Sequence, residues 1–170
     1  MRLIPLPPIE TLRDLFLYEP DTGYLIRRKS IKMVKAGDIA GCVRAGTHRF
    51  VKVDSKAYAE HRICWALYYG EEPSGMIDHV NGNHGDNRIT NLRIATFNQN
   101  QWNTKRRIDN TSGYKGVFNK NGRFQAYINC NGKRHHLGCY STAEDAHRAY
   151  VDAAKRLHGE FALPFGRAGQ

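Results

Sequence analysis

Two Asn-Gly pairs, Asn121-Gly122 and Asn131-Gly132, constrain this chain more than any other feature of its sequence. A two-residue hairpin turn that matches strand twist needs positive φ at both central positions, and Asn-Gly adopts it at least cost. The pairs divide an alternating stretch into three expected strands, 114–118, 123–129 and 133–140. Ser141-Thr142-Ala143-Glu144 then reads as a capping box that opens a helix. Ala146, Ala149, Tyr150, Ala153, Ala154 and Leu157 follow at helical spacing, with Gly159 as a stop. A stripe of such small side chains lets a helix lie close to a sheet. Residues 113–162 are therefore expected to form a three-stranded antiparallel sheet with one packed helix.

The remainder is read against the charge. The 170 residues suit one medium domain or two small ones, and the net charge is +10. Such a chain attracts polyanions, with nucleic acid the first candidate. A membrane partner is not expected, because no apolar run approaches ~18 residues and no basic amphipathic helix is visible. The N-terminus, Met1-Arg2-Leu3-Ile4-Pro5-Leu6-Pro7-Pro8, is too short and proline-rich for a signal sequence. The expected location is the cytoplasm of a bacterial or phage-infected cell. Cys42, Cys64, Cys130 and Cys139 form no C-x-x-C pair, so neither a thiolate zinc site nor a disulfide framework is expected. Residues 1–100 carry 14 basic and 11 acidic residues, whereas residues 101–170 carry 12 and 5. The smaller C-terminal part holds most of the excess, which is where phosphate contacts should concentrate.

Toward the N-terminus, Leu12, Leu15 and Phe16 fall at helical spacing, and Asp21-Thr22-Gly23 signals a turn before an extended piece. Residues 48–53 also look extended. A helix is expected over 58–69, buried through Ile63, Cys64 and Leu67 and stopped by Gly70. Residues 76–80 read as a short strand and 81–87, rich in Asn, Gly and Asp, as a loop. Residues 92–94 form a second extended piece. Thr96 is placed to cap a helix running to about residue 106.

The chemistry lies in an ordered phrase. It runs Asp78-His79-Val80-Asn81-Gly82, Asp86-Asn87-Arg88, Asn91-Leu92-Arg93 and Asn98-Gln99-Asn100. This phrase resembles the HNH nuclease family, in the subgroup common among phage-encoded and homing endonucleases, over about residues 58–104. The resemblance implies a ββα-metal fold, in which two short strands and a helix clasp one divalent cation. It implies His79 as general base, Asp78 as metal ligand and Asn91 as the residue that holds the imidazole. Asn100 stands where many members have the final histidine, and its amide oxygen would be the second protein ligand. Such an oxygen set favours Mg²⁺ or Mn²⁺ over zinc. His61 also matches a family position, while His84 is expected to be solvated. Arg88 and Arg93 are candidate phosphate clamps, Arg93 being equally an ion-pair partner.

Ser112-Gly113-Tyr114-Lys115-Gly116-Val117, Ala126-Tyr127-Ile128, Leu137-Gly138 and Ala143-Glu144-Asp145-Ala146 resemble the AP2 DNA-binding domain. That family lays the exposed face of its sheet in the major groove, which admits a β-ribbon. Alternation turns Phe124, Ala126 and Ile128 toward the helix and Gln125, Tyr127 and Asn129 outward. The resemblance adds Lys115, Phe118, Lys120, Arg134 and His136 to the reading face.

The combined expectation is an α+β chain. A β-rich segment and an HNH core occupy 1–106, a linker 107–112, and an AP2-like module 113–170. Its expected function is phosphodiester hydrolysis in double-stranded DNA with one divalent cation, as a monomer or weak homodimer. The alternative is a DNA-binding regulator with an inactive nuclease element.

Overall fold

The computed structural model describes residues 4–31, 33–43, 48–103 and 110–162 of the 170-residue chain. Small sheets and a few helices make it an α+β protein that divides into two compact units, Met1–Ile94 and Ala95–Gln170. Among the described residues no helix is long and apolar enough to cross a membrane.

The N-terminal unit opens with α1 (Ile9–Leu15), whose Leu12 is fully buried. A hairpin follows, β1 (Phe16–Glu19) paired antiparallel with β2 (Tyr24–Arg27). A second sheet has the order β3 (Cys42–Val43), β4 (Arg49–Val53) and β5 (Lys56–Ala59). Helix α2 (Glu60–Tyr69) comes next and ends at Gly70, in the left-handed region with φ 76°. Strands β6 (Met76–His79) and β7 (Leu92–Ala95) pair, and a 3₁₀ turn at Ile89–Asn91 leads into the second. Leu12, Phe16, Leu25, Val51, Ile63, Cys64, Ile77 and Leu92 form one apolar core beneath these elements.

The C-terminal unit begins with α3 (Phe97–Trp102), closed by the expected cap. Thr96 Oγ1 accepts from Gln99 N, and Thr96 N donates to Gln99 Oε1. Strands β8 (Val117–Lys120), β9 (Arg123–Cys130) and β10 (Lys133–Tyr140) form an antiparallel sheet with β9 in the centre. Both Asn-Gly turns have positive φ at each central residue, as the twist argument requires. Helix α4 (Ala143–His158) covers one face. Ala146 seals against Val117 and Ala126, while Tyr150, Ala153 and Ala154 meet Ile128.

Four boundaries differ from the sequence expectation, three of them for a local reason. The first strand of the C-terminal sheet starts at Val117, because residues 112–116 fold into a turn. There Asn110 Nδ2 donates to the Tyr114 and Val117 carbonyls, and the Ser112 hydroxyl donates to Val117 O at 2.8 Å with Tyr114 O also nearby at 3.2 Å. Gly116 sits inside that turn at φ 73°, and a Cβ there would lie 2.2 Å from the Tyr150 ring. The α4 cap is Thr142 holding the Asp145 amide, one residue later than the expected box. Helix α2 starts at Glu60 rather than 58, because Lys56–Ala59 pairs with β4 across Asp54-Ser55. That turn places both residues at positive φ without a glycine, so the usual signal was missing. The units divide after Ile94, whereas a boundary at 106 was expected. The helix beyond Asn103 and linker residues 107–109 lie outside the described residues.

Candidate functional site

Asp78 and His79 close strand β6, and both are buried, at 4% and 2% exposure. Neighbouring strand residues point to opposite faces, so the pair is covered from both sides. A buried carboxylate requires a partner. Arg93, on the facing strand β7, supplies it through Nε at 2.9 Å and a terminal nitrogen at 2.7 Å, both on Asp78 Oδ2. Arg93 is therefore placed as the ion-pair partner of Asp78.

The polar loop between β6 and β7 is closed by its own asparagines. Asn91 Oδ1 accepts from Asn81 N at 2.9 Å, and Asn91 Nδ2 donates to the Asp86 carbonyl at 2.7 Å. Asn81 Nδ2 donates to Asp86 Oδ2, which also takes a guanidinium nitrogen of Arg88. The Arg88 hydrogen bonds hold the Asp86 carboxyl down at about 2, so Arg88 is engaged with Asp86 rather than extended. The effect of this bracing falls on Asn87, which is 1% exposed. Its Oδ1 lies 3.0 Å from His79 Nε2.

Sequence reasoning gave that imidazole contact to Asn91. The structure puts Asn87 there and gives both polar ends of Asn91 to the loop. With Asn87 Oδ1 as acceptor, the His79 proton sits on Nε2 and the lone pair on Nδ1. The β1–β2 hairpin props this arrangement from behind. Tyr18 Oη donates to the Asn87 carbonyl at 2.7 Å, and Ile89 N donates to Pro20 O at 3.1 Å. A Cβ on Gly23 would lie 2.4 Å from Arg88 N, so only glycine lets the hairpin come this close.

Burial lowers the His79 pKa, opposed in part by the Asn87 hydrogen bond. The ring is thus kept neutral and able to accept a proton. Two more histidines crowd it. His61, on the first turn of α2, meets His79 edge-on at 5.3 Å between ring centroids. His48, just before β4, lies 4.8 Å from His61 and 5.6 Å from His79. Burial drives the His61 pKa well below its usual value and that of His48 to about 4. Exposed His84, from the loop, stacks on His48 at 4.2 Å. Glu60, beside His61 in sequence, is ion-paired with Arg49, but burial still raises its pKa. The sequence gave no role to His48 or Asn87. His48 belongs to no local pattern, Asn87 stands in the ordered phrase without a role of its own, and only the sheet and loop bring them to His79.

Asn100 is half-buried on α3 in the C-terminal unit, its backbone amide bonded to Thr96 O. The same unit presents a second candidate surface. Strand register puts Phe118 opposite Gln125, Lys120 opposite Arg123, His136 opposite Tyr127 and Arg134 opposite Asn129, all on the face away from α4. The Arg134 guanidinium lies 4.0 Å from the Tyr127 ring centre and 5.2 Å from that of Phe118. His136 packs on the same tyrosine at 4.9 Å. The expected inward set also holds: Ala126 and Ile128 are buried, and Phe124 is half-buried. Lys115 is set apart from this face. Its ammonium donates to Trp102 O at 2.7 Å, and burial lowers its pKa to about 8.

Comparison with known proteins places this geometry. Residues 58–102 match the HNH endonuclease family model. Protein 3.8 of Escherichia phage T7 is 34% identical over 111 residues, which span 63% of this chain and 90% of that protein. An uncharacterized HNH endonuclease, L560, of Acanthamoeba polyphaga mimivirus is 35% identical over 106 residues, 61% of this chain and 55% of that protein. No solved structure matches at a significant level.

Proposed function

We propose, from the HNH endonuclease domain matched over residues 58–102, that this chain hydrolyses phosphodiester bonds in double-stranded DNA with the help of a divalent cation. The observation that carries the proposal is the state of His79. It is buried, neutral and fixed in one tautomer by Asn87 at the end of β6. A general base needs this combination of orientation and proton affinity. His79 takes the proton of the attacking water. Asn87 holds the ring, Asn91 holds the loop that carries Asn87, and Arg93 orients the Asp78 carboxylate.

The metal ligand that the N-terminal unit offers on this reading is Asp78, whose buried carboxylate has the hard oxygen donors that suit Mg²⁺ or Mn²⁺. When bound, such an ion neutralises the phosphate and stabilises the leaving oxygen.

The C-terminal unit is proposed to anchor the duplex through the face built of Phe118, Lys120, Gln125, Tyr127, Asn129, Arg134 and His136. Its three-stranded sheet and single helix support the AP2-like reading. Cations and flat rings on one face suit contact with phosphates and bases. A regulator with an inactive nuclease element remains the rival. Supercoiled plasmid incubated with Mg²⁺ or Mn²⁺ decides between them. Conversion to nicked or linear DNA that chelation abolishes supports the nuclease, and intact plasmid under both metals sinks it.

A further inference from the structure

We propose that His48, His61 and His79 form a second metal site, selective for a borderline transition ion such as Zn²⁺, whose occupation removes the general base and silences the nuclease. The regulatory half of this inference rests on the reading of His79 as that base. The site itself rests on geometry.

The three residues come from three elements: the approach to β4, the first turn of α2 and the end of β6. Their ligand nitrogens all lie within 4.8 Å of one another. A tetrahedral zinc with Zn–N bonds of ~2.0–2.1 Å holds its nitrogens roughly 3.4 Å apart. The required contraction is therefore up to about 1.4 Å, and His48 is the half-buried ring of the three. Three imidazoles and an open fourth position are a recurrent zinc donor set. Imidazole nitrogen prefers zinc, copper or nickel, whereas Mg²⁺ prefers oxygen. The cluster is thus chemically distinct from the carboxylate oxygens of Asp78.

Two further features fit a ligand role. A metal-binding histidine commonly donates its other N–H to a carbonyl-type oxygen, and His79 Nε2 already faces Asn87 Oδ1 at 3.0 Å. His48 and His61 also lie 4.8 Å apart between ring centroids, so two imidazole donors are already assembled beside His79. A zinc ion held through His79 would occupy the lone pair that general-base catalysis needs. Mg²⁺ bound elsewhere could not restore it.

The test uses the full chain without DNA first. Zn²⁺ affinity is measured by competition with a chromophoric chelator for the parent, His48→Ala and His61→Gln. Far-UV circular dichroism checks that each variant is folded. The expected result is one Zn²⁺ per chain and a loss in each variant larger than the ~10- to 100-fold that an outer partner alone costs. Co²⁺ substitution should give a tetrahedral visible spectrum without a thiolate charge-transfer band. Parent affinity in both folded variants, or loss of binding on alkylation of Cys42 and Cys139, overturns the site. With DNA and excess Mg²⁺, added Zn²⁺ should suppress cleavage by the parent. His48→Ala, compared with its own zinc-free rate, should need at least ~10-fold more zinc for the same suppression. Undiminished cleavage by zinc-loaded parent overturns the regulatory half. A chain that binds zinc through these histidines but cuts nothing under Mg²⁺ sinks the nuclease reading instead, and the site stands.

Discussion

The two units of this chain differ in how many polar side chains they bury, the C-terminal unit enclosing Asn103 and His158 among its described residues. The N-terminal unit buries Glu60, His61, Arg62, Asp78, His79, Asn87 and Asn91. The C-terminal unit builds its core from Val117, Ala126, Ile128, Ala146, Tyr150, Ala153 and Ala154, and leaves Phe118, Lys120, Asn129, Arg134 and His136 in solvent. Burying a polar group is costly unless its partners are fixed. A fold tolerates that cost where position matters more than stability, as around a base that must stay neutral and oriented. Exposed cations and rings stay mobile enough to adapt to a polyanion. The contrast therefore separates a region built to hold atoms still from one built to present them.

The sharpest break of this comparison is His79→Ala. Loss of a positioned base should lower cleavage by ~10²- to 10⁴-fold while DNA affinity stays near the parent value. Quantitative plasmid cleavage and a gel-shift titration read the two separately. Equal cleavage by mutant and parent would remove His79 from the mechanism.

Asn87→Ala should follow, at about 10- to 100-fold, since it leaves the base in place but releases its tautomer. Its signature is the pH profile. The Asn87 hydrogen bond raises a pKa that burial lowers, so without it the acidic limb of the cleavage profile should move to lower pH. Asn91→Ala, which frees the loop, should lower the melting temperature as well as the rate. If Asn91→Ala alone shifts the profile, the roles of the two asparagines are exchanged.

These asparagines also show how far the sequence could be read. Asp78, His79 and Asn91 stand out because their spacing is local to two strands and one loop. The C-terminal sheet is legible because Asn121-Gly122 and Asn131-Gly132 specify its turns by backbone chemistry alone. Asn87 was passed over because its function depends on the β1–β2 hairpin pressing Gly23 against the loop, a contact across more than sixty residues. His48 was passed over because nothing near it in sequence marks it. The β4–β5 hairpin was missed because Asp54-Ser55 turns it without glycine. Arg93 was legible as a charge, but its choice of Asp78 over phosphate required the facing strand.

Acidification should separate the units by stability. Burial lowers the pKa of His48, His61 and His79, so the unfolded chain binds more protons than the folded one as pH falls. The penalty is absent above the usual histidine value of 6.5, grows below it, and levels off for His48 near its folded value of about 4. Glu60, with its raised pKa, acts in the opposite sense above 4.5 and offsets part of the loss. The net should be a loss of stability in the N-terminal unit between pH 7.5 and 5. His147 and His158, also lowered by burial, should give the C-terminal unit less because no such cluster surrounds them. Trp65 and Trp102, the two tryptophans, report one unit each once the other is replaced by Phe. Urea unfolding at pH 7.5 and 5 should show the larger midpoint shift for Trp65, and equal shifts would deny the histidine cluster its energetic weight.

The smallest effect is expected at the exposed sheet. Arg134 rests on Tyr127 and Phe118 without a described ion pair of its own, so its charge is available to phosphate at little structural cost. Arg134→Ala should leave cleavage chemistry and folding unchanged at saturating DNA. It should weaken binding a few-fold at physiological salt and make the dependence of log affinity on log salt shallower by about 1, the share of one phosphate contact. Lys115→Ala should change that slope less, because its ammonium is engaged by the Trp102 carbonyl. Removing a cation that pairs with phosphate must release fewer counterions on binding, whereas removing one that pairs with its own backbone need not. If the two variants change the slope equally, the sheet face is not where this chain meets the DNA backbone, and its aromatic residues serve the fold alone.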